Sequence, residues 1–298
     1  MEAAYLFVDD TLNGVIWSLV PWFLLAAGVY FGLRTLFVQI RAVPDMFRAI
    51  AESPKGTDRE GRDLDEEYGG LSAFKSFTIS AASRVGTGNV AGVGLAISIG
   101  GPGSVFWMWM LALLGGATAF VESTLAQLWK TKDAEGNYHG GPAYYMTRGL
   151  GWKHLAAVFS VFLAFTYGFV YNAVQSNSIV EAVGGSLGTD SNLLKGIAAT
   201  VLATLTAMVI FGGVTRVASW TQIIVPFMAG AYIIVGIIVV VLNISEVPNM
   251  ISLIVGHALG FKQVAGAAVG VAFMQGMRRG LFSNEAGMGS APNAAATA

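Results

Sequence analysis

The chain has 298 residues, of which 54% are hydrophobic and only 12% are charged, and it contains 38 glycines and no cysteine. Water-soluble domains are about 25% charged, so this composition excludes an ordinary soluble protein. The 17 basic and 18 acidic residues leave a net charge of −1, which provides no basic surface for a nucleic-acid partner. Without cysteine the chain has no disulfide, no thiolate nucleophile and no thiolate metal ligand.

Long apolar runs follow one another along the chain. Each is long enough, at about 1.5 Å per residue, to cross a hydrocarbon core of about 30 Å. The runs cover about 15–38, 74–99, 104–129, 154–182, 193–213 and 218–242, and a seventh begins near 264. Together they predict an all-α polytopic membrane protein surrounded by lipid.

The first run is expected to be a retained helix. It follows Glu2, Asp9 and Asp10 rather than basic residues, and it is too long for the core of a cleaved signal peptide. After this run, residues 45–68 include 12 of the 35 charged residues of the chain and must lie in water. Lysine and arginine are concentrated there and in 130–153, which predicts that the linker is cytoplasmic and that the N-terminus is outside.

An internal repeat emerges when the sequence is shifted by 195 positions. The coinciding pairs are Arg84/Arg279, Asn89/Asn284, Ala91/Ala286, Gly92/Gly287 and Gly94/Gly289. The offset spans five predicted helices, and an odd number makes the second copy cross the membrane in the opposite sense, as in inverted-repeat transporters. Two alternatives remain open: chance coincidence of common small residues, and a GxxxG packing face at Gly88 and Gly92.

The segment Gly86-Thr87-Gly88-Asn89 predicts a break inside the second apolar run. Glycine costs about 1 kcal/mol in a helix interior, and an interrupted helix exposes N–H and C=O groups that lipid tolerates only around a cavity. The N–H groups suit a carboxylate, and the carbonyls suit a cation or an ammonium group. A zwitterionic amino acid together with a metal cation would satisfy both.

With these residues the sequence resembles the alanine/glycine:cation symporter family along essentially its whole length. The most specific stretches are Gly86 to Asn89, Gly100 to Met110, Gly140 to Tyr145, Gln175 to Ser178 and Arg279 to Gly287. The resemblance implies a secondary active transporter in the plasma (cell inner) membrane. It would carry small neutral amino acids, alanine or glycine, with sodium or alternatively protons as the coupling ion and with no organic cofactor.

The resemblance also implies the leucine-transporter-like fold, in which two inverted five-helix repeats follow one extra N-terminal helix. The expected divisions are 1–73 for the first helix and its charged linker, 74–243 for the first repeat, and 244–298 for an outer loop and the first, broken helix of the second repeat. We expect the second repeat to be incomplete. An ion channel and an inactive fragment of the transporter are the alternative interpretations.

The candidate binding residues come from both copies of the repeat. Thr87, Gly88 and Asn89 are expected to contact the substrate, and Ser283 and Asn284 are expected to form the opposite wall. The candidates for contact with the coupling cation are Gly86, Thr87 and Asn89. A packed glycine helix with a capping asparagine is the alternative interpretation.

Two further candidates depend on the family resemblance. It implies that Gln175 and Asn177 line the amino-acid site. Without it, polar residues in an apolar helix are more simply explained as interhelical hydrogen-bonding groups. No metal site is expected beyond that of the transported sodium, because the three histidines are far apart.

Ionisable residues inside apolar runs are functional candidates by default. The gate candidates are Arg84, Glu122, Arg279 and Glu285. An Arg84–Glu122 pair that locks an inner gate and direct ion binding are equally compatible with the sequence. An enzyme is not expected, because the Gly184–Gly188 match to a nucleophile motif lies where a short outer loop is predicted, without the strand-turn-helix context that this chemistry needs.

Overall fold

A computed structural model describes residues 7–52, 73–134, 138–188, 191–261 and 266–297. The helices are α1 (Gly14–Arg34), α2 (Val38–Arg41), α3 (Val43–Glu52), α4 (Ala73–Arg84), α5 (Thr87–Gly100), α6 (Gly103–Leu128), α7 (Pro142–Arg148), α8 (Lys153–Phe165), α9 (Tyr171–Leu187), α10 (Asn192–Ile210), α11 (Gly213–Leu242), α12 (Val247–Ala258), α13 (Gly266–Asn284) and α14 (Ser290–Ala295). Strands β1 (Thr131–Lys132) and β2 (Tyr138–His139) form an antiparallel pair. Most of the predicted charged linker lies outside the described residues.

Five helical stretches of the described chain are long and apolar enough to cross a membrane. They are Thr11–Arg34, Gly103–Leu128, Lys153–Leu187, Asn192–Ile210 and Arg216–Leu242. Lys153–Leu187 is continuous because the π-helical segment Thr166–Val170 joins α8 to α9. The prediction of an all-α polytopic membrane protein is confirmed.

Two apolar segments are interrupted. The first is split between α4 and α5 at Val85–Gly86, as the glycines there predict. The second is split between α13 and α14, where Glu285, Gly287 and Gly289 have φ of 55°, 84° and 89°. A left-handed backbone cannot continue a right-handed helix, so α13 ends at this point.

The structure differs from the predicted loops at two places. Helix α9 continues through Leu187, so most of the nucleophile-like motif is helical, and it ends where Gly188 takes the left-handed conformation at φ 63°. The expected outer loop after 243 contains the 3₁₀ turn Ile244–Glu246 and helix α12. Pro248 falls at the start of α12, where its missing N–H is harmless.

The chain divides into two compact units. The first comprises Met1–Pro44, Gly88–Glu122 and Tyr232–Gly287, and the second comprises Asp45–Thr87, Ser123–Ala231 and Met288–Ala298. Both interrupted segments pass from one unit to the other at or beside their interruption.

In the first unit, α13 packs closely against α6 and α5. A β-carbon added to Gly276 would lie 2.5 Å from the Ser104 carbonyl oxygen, and one at Gly280 would lie 3.3 Å from Met108 Cα, so α6 and α13 run in the same direction. Gly88 adjoins Ser283 whereas Gly100 adjoins Gln275, so α5 and α13 run in opposite directions. Small residues every fourth position allow this close approach.

In the second unit, α14 packs against α4 and the end of α6. Ser76 Oγ donates a hydrogen bond to the Ala294 carbonyl at 3.1 Å, and Gln127 Nε2 donates to the Ala295 carbonyl. In the hairpin, Lys130 Nζ lies 4.2 Å from the centroid of the Tyr138 ring, and burial lowers the pKa of Lys130 below its ordinary value. The hydrogen bonds from Ser76 and Gln127 hold the short helix that follows the second interruption.

Candidate functional site

In the second unit the first interruption is held by Gln175 of α9. Its Oε1 accepts a hydrogen bond from the backbone N–H of Thr87 at 3.3 Å. Thr87 is the first residue of α5, where N–H groups have no partner within the helix. A β-carbon at Gly86 would lie 2.6 Å from Gln175 Nε2, so glycine is the residue that leaves room for this amide.

The Thr87 hydroxyl lies beside this contact. Its Oγ1 is buried and has no hydrogen-bond partner among the residues that the structure describes. Buried hydroxyl groups are nearly always paired with protein, water or a ligand. An ion or a small polar ligand bound at the start of this helix would give the hydroxyl a partner.

The second interruption contacts the same long helix. Tyr171 Oη donates a hydrogen bond to Met288 Sδ at 3.4 Å, and a β-carbon at Gly289 would lie 2.9 Å from Phe159 Cζ. Tyr171 is four residues before Gln175, which places both side chains on one helix face. Both interruptions therefore adjoin the stretch Lys153–Leu187: the first contacts it after its π-helical segment, and the second contacts it on both sides of that segment. Such segments are frequent at functional sites.

A cavity of about 400 Å³ adjoins the second interruption within the same unit. Its lining includes Phe159, Leu163 and Tyr167 on one side and Ser290 and Asn293 of α14 on the other. The lining is mostly apolar with a few polar groups, as in many small-molecule sites. The Tyr167 and Tyr171 rings stack with centroids 4.8 Å apart, which gives this part of the helix a rigid aromatic surface.

In the first unit Ser283 lies against the start of α5. A β-carbon at Gly88 would lie 3.1 Å from Ser283 Oγ, which is buried and lacks a hydrogen-bond partner in the described part of the chain. Nearby, the Asn89 carbonyl accepts a hydrogen bond from Tyr232 Oη at 3.5 Å. Gly88 and Ser283, both sequence candidates, are thus brought together.

Two predicted binding residues make other contacts. Asn284 Nδ2 donates to the Leu111 carbonyl of α6 at 3.2 Å, so this amide joins two helices. Asn177 Nδ2 donates to Glu181 Oε1 at 3.0 Å. Since Asn177 is two residues from Gln175, it lies on a different face of α9, and the structure does not bring it to the Thr87 contact.

The gate candidates lie at or near the interruptions. Glu285 is 1% exposed and has a left-handed backbone, and a β-carbon at Gly287 would lie 3.8 Å from Glu122 Oε1 in the same unit. Arg279 Nε is buried without a hydrogen-bond partner among the described residues. Arg84 is the last residue of α4, and its pairing with Glu122 stays a prediction.

Sequence reasoning missed Tyr171 and Met288. The one-turn spacing of Tyr171 from Gln175 is visible in the sequence, and the period of the helix could have drawn attention to it. Met288 follows Gly287, and only the left-handed conformations at this interruption direct it toward Tyr171.

Comparison with known proteins shows the family of this chain. The family model described as the sodium:alanine symporter family matches residues 1–298. The chain is 47% identical to the amino-acid carrier protein AlsT of Bacillus subtilis over 298 residues, which are 100% of this chain and 61% of AlsT. It is 46% identical to the probable sodium/glutamine symporter GlnT of the same organism, covering 96% of the chain and 57% of GlnT.

A more distant relative is the sodium/alanine symporter AgcS of Methanococcus maripaludis, which is 38% identical over 97% of the chain and 62% of AgcS. The chain thus spans about 60% of the length of these curated relatives. Their names describe transporters and not enzymes. Because the family model matches the chain over its full length, the chain belongs to the sodium:alanine symporter family.

Proposed function

We propose that this chain is part of a secondary active transporter that couples sodium to the movement of a small neutral amino acid, alanine or glycine, across the plasma membrane. The observation that carries the proposal is the buried hydroxyl of Thr87, which has no hydrogen-bond partner among the described residues, at an interrupted helix whose first N–H is held by Gln175. Protons are the alternative coupling ion.

The binding chemistry follows from the interrupted helices. N–H groups at the start of α5 favour the substrate carboxylate, and carbonyls at the end of a half-helix favour sodium or the ammonium group. Gly86, Gly88 and Asn89 would supply backbone groups and Thr87 its hydroxyl, while Gln175 Oε1 accepts a hydrogen bond from the N–H of Thr87. Ser283 would add a second hydroxyl.

The antiparallel packing of α5 and α13 supports the proposed inverted repeat, because α5 belongs to the interrupted segment of the first copy, α13 belongs to that of the second copy, and the two run in opposite directions. In such folds transport proceeds as one repeat rocks against the other around a fixed site. Arg84, Glu122, Arg279 and Glu285 would form the inner gate. The N-terminus would lie outside, as the distribution of lysine and arginine predicts.

The decisive experiment is uptake of radiolabelled alanine and glycine by the complete gene product in proteoliposomes. We expect uptake with an inward sodium gradient and little uptake when choline replaces sodium. Unlabelled alanine and glycine should compete better than glutamine. Alanine and glycine themselves should differ modestly, because one methylene in an apolar pocket changes selectivity by only about 1–3 kcal/mol. Sodium flux without any amino acid would indicate a channel and contradict the proposal.

A single added methyl group tests the role of Gln175. Gly86→Ala should fold, because the side chain that its β-carbon meets is the flexible end of Gln175, but the amide would be displaced from the Thr87 N–H. We expect uptake to fall about tenfold or more with little change in thermal unfolding. Gly94→Ala is the matched control, since a β-carbon there meets nothing within 4 Å; equal uptake by both variants would contradict the role.

A further inference from the structure

A second cavity in the second unit lies where α9 and α10 are joined, away from the interruptions. Its volume is about 440 Å³, and its lining combines one acidic and one basic side chain with three glycines. The lining residues are Val180, Glu181, Gly184, Gly185, Gly188, Leu194 and Lys195. An acid and a base on the wall of one cavity suit a ligand that itself carries both charges.

The cavity lies near the ends of two stretches able to cross a membrane, where lipid headgroups are expected. Both joined helices belong to stretches able to cross a membrane, which end at Leu187 and begin at Asn192. Glu181 is about 9 Å of helix from the first of these ends, and Lys195 is about 5 Å from the second. Headgroup and interfacial regions extend about 5–8 Å on each side of the hydrocarbon core, within reach of both side chains.

The Glu181 carboxylate is held by a hydrogen bond from Asn177. Asn177 Nδ2 donates to its Oε1 at 3.0 Å, and a carboxylate has about four acceptor positions, so it can accept further hydrogen bonds. An ammonium group carries three donors that could fill them. This contact also gives Asn177 a role near the cavity.

Gly185 is exposed on the wall of the cavity. A β-carbon there would meet nothing within 4 Å, so close packing does not require glycine at this position. Glycine in a helix interior nonetheless costs roughly 0.5–1 kcal/mol relative to alanine. The open space beside the Gly185 backbone lies between Glu181 and Lys195, and a ligand can enter it.

We propose that this cavity binds the headgroup of a phosphatidylethanolamine lipid, whose ammonium group contacts Glu181 and whose phosphate contacts Lys195. A purely anionic headgroup would be repelled by Glu181, and a choline headgroup has no N–H to donate to it. A free amino acid has the same zwitterionic chemistry, but the volume and the interfacial depth favour the lipid. The proposal does not depend on what the chain transports.

The test measures which lipids stay bound to the purified complete gene product after extraction from membranes of mixed composition. Mass spectrometry should find phosphatidylethanolamine enriched over phosphatidylcholine and phosphatidylglycerol relative to the bulk membrane. Glu181→Gln should lower the enrichment over phosphatidylcholine about fivefold, as expected for loss of one partly exposed charge-assisted hydrogen bond. Glu246→Gln, an acid outside the cavity, should leave it unchanged.

Lys195 provides the second test, which also covers a failure of Glu181→Gln to fold. Lys195→Gln should reduce retention of phosphatidylethanolamine, and Lys195→Arg should preserve it, because arginine also binds phosphate. Three results would overturn the proposal: no enrichment in the unmodified protein, undiminished enrichment in Glu181→Gln and Lys195→Gln, or displacement of the lipid by millimolar alanine. A fourth result would also contradict the proposal: thermal destabilisation by Glu181→Gln that is equal in all lipids would assign Glu181 a purely structural role.

Discussion

Replacing Gly276 with alanine is expected to destabilise the protein by about 1–3 kcal/mol or more, as overpacking does in a close-packed interior. A β-carbon at this position would lie 2.5 Å from the Ser104 carbonyl oxygen and 2.6 Å from Trp107 Cβ. Neither atom can move aside by a side-chain rotation, because one belongs to the backbone of α6 and the other is bonded to it. The two helices would have to separate.

Separation of α6 from α13 would also affect the second interruption. The hydrogen bond from Asn284 Nδ2 to the Leu111 carbonyl joins the same two helices at the end of α13. We therefore expect Gly276→Ala to lower both the unfolding temperature in detergent and the amount of sodium-dependent uptake per folded molecule.

Other glycines of α13 provide a graded control series. Gly280→Ala should be less damaging, because its nearest contact is Leu111 Cδ2 at 3.1 Å, the end of a side chain that can shift. At Gly270 a β-carbon meets nothing within 4 Å, so alanine there should be neutral or stabilising by up to roughly 1 kcal/mol. If Gly276→Ala and Gly270→Ala unfold at the same temperature, the close packing of α6 on α13 is wrong.

Much of the helical architecture could be predicted because apolar runs and glycine breaks are local properties of the sequence. The run 74–99 and the motif at Gly86 predict a helix that is interrupted near Gly86. In the structure the helix is interrupted at Val85–Gly86. Nothing local identifies the partner of that interruption. Gln175 reaches Thr87 only through the tertiary approach of α9, which the sequence pattern does not contain.

The sequence repeat does not predict the position of the second interruption. The 195-residue offset pairs Asn89 with Asn284, yet Asn89 is the third residue of α5 and Asn284 is the last residue of α13. The interruption at 285–289 corresponds to 90–94, which is continuous helix in the first copy. Several glycines in each copy can adopt positive φ, and packing decides which of them does so. The sequence match therefore suggested the same role for two asparagines that the structure places differently.

Replacing Thr87 with valine is expected to separate function from stability. Valine keeps the shape of threonine but removes the hydroxyl, which is buried and has no hydrogen-bond partner in the described part of the chain. An unsatisfied buried polar group costs about 1–3 kcal/mol, so the ligand-free protein should unfold at the same temperature or a higher one. Binding of sodium and amino acid should weaken, because the hydroxyl can no longer contact either.

The expected loss in uptake is tenfold or more, since a tenfold change corresponds to about 1.4 kcal/mol and hydrogen bonds to charged groups contribute about 1.5–3 kcal/mol. Thr87→Ser keeps the hydroxyl and should retain uptake within a few-fold. Ser283→Ala should act in the same direction as Thr87→Val, because its Oγ is buried and likewise lacks a hydrogen-bond partner among the described residues. A structural role would give the opposite pattern for Thr87→Val: a lower unfolding temperature with sodium dependence and affinity intact. Opposite signs of the stability and transport effects in the same variant would thus identify a hydroxyl that serves a ligand.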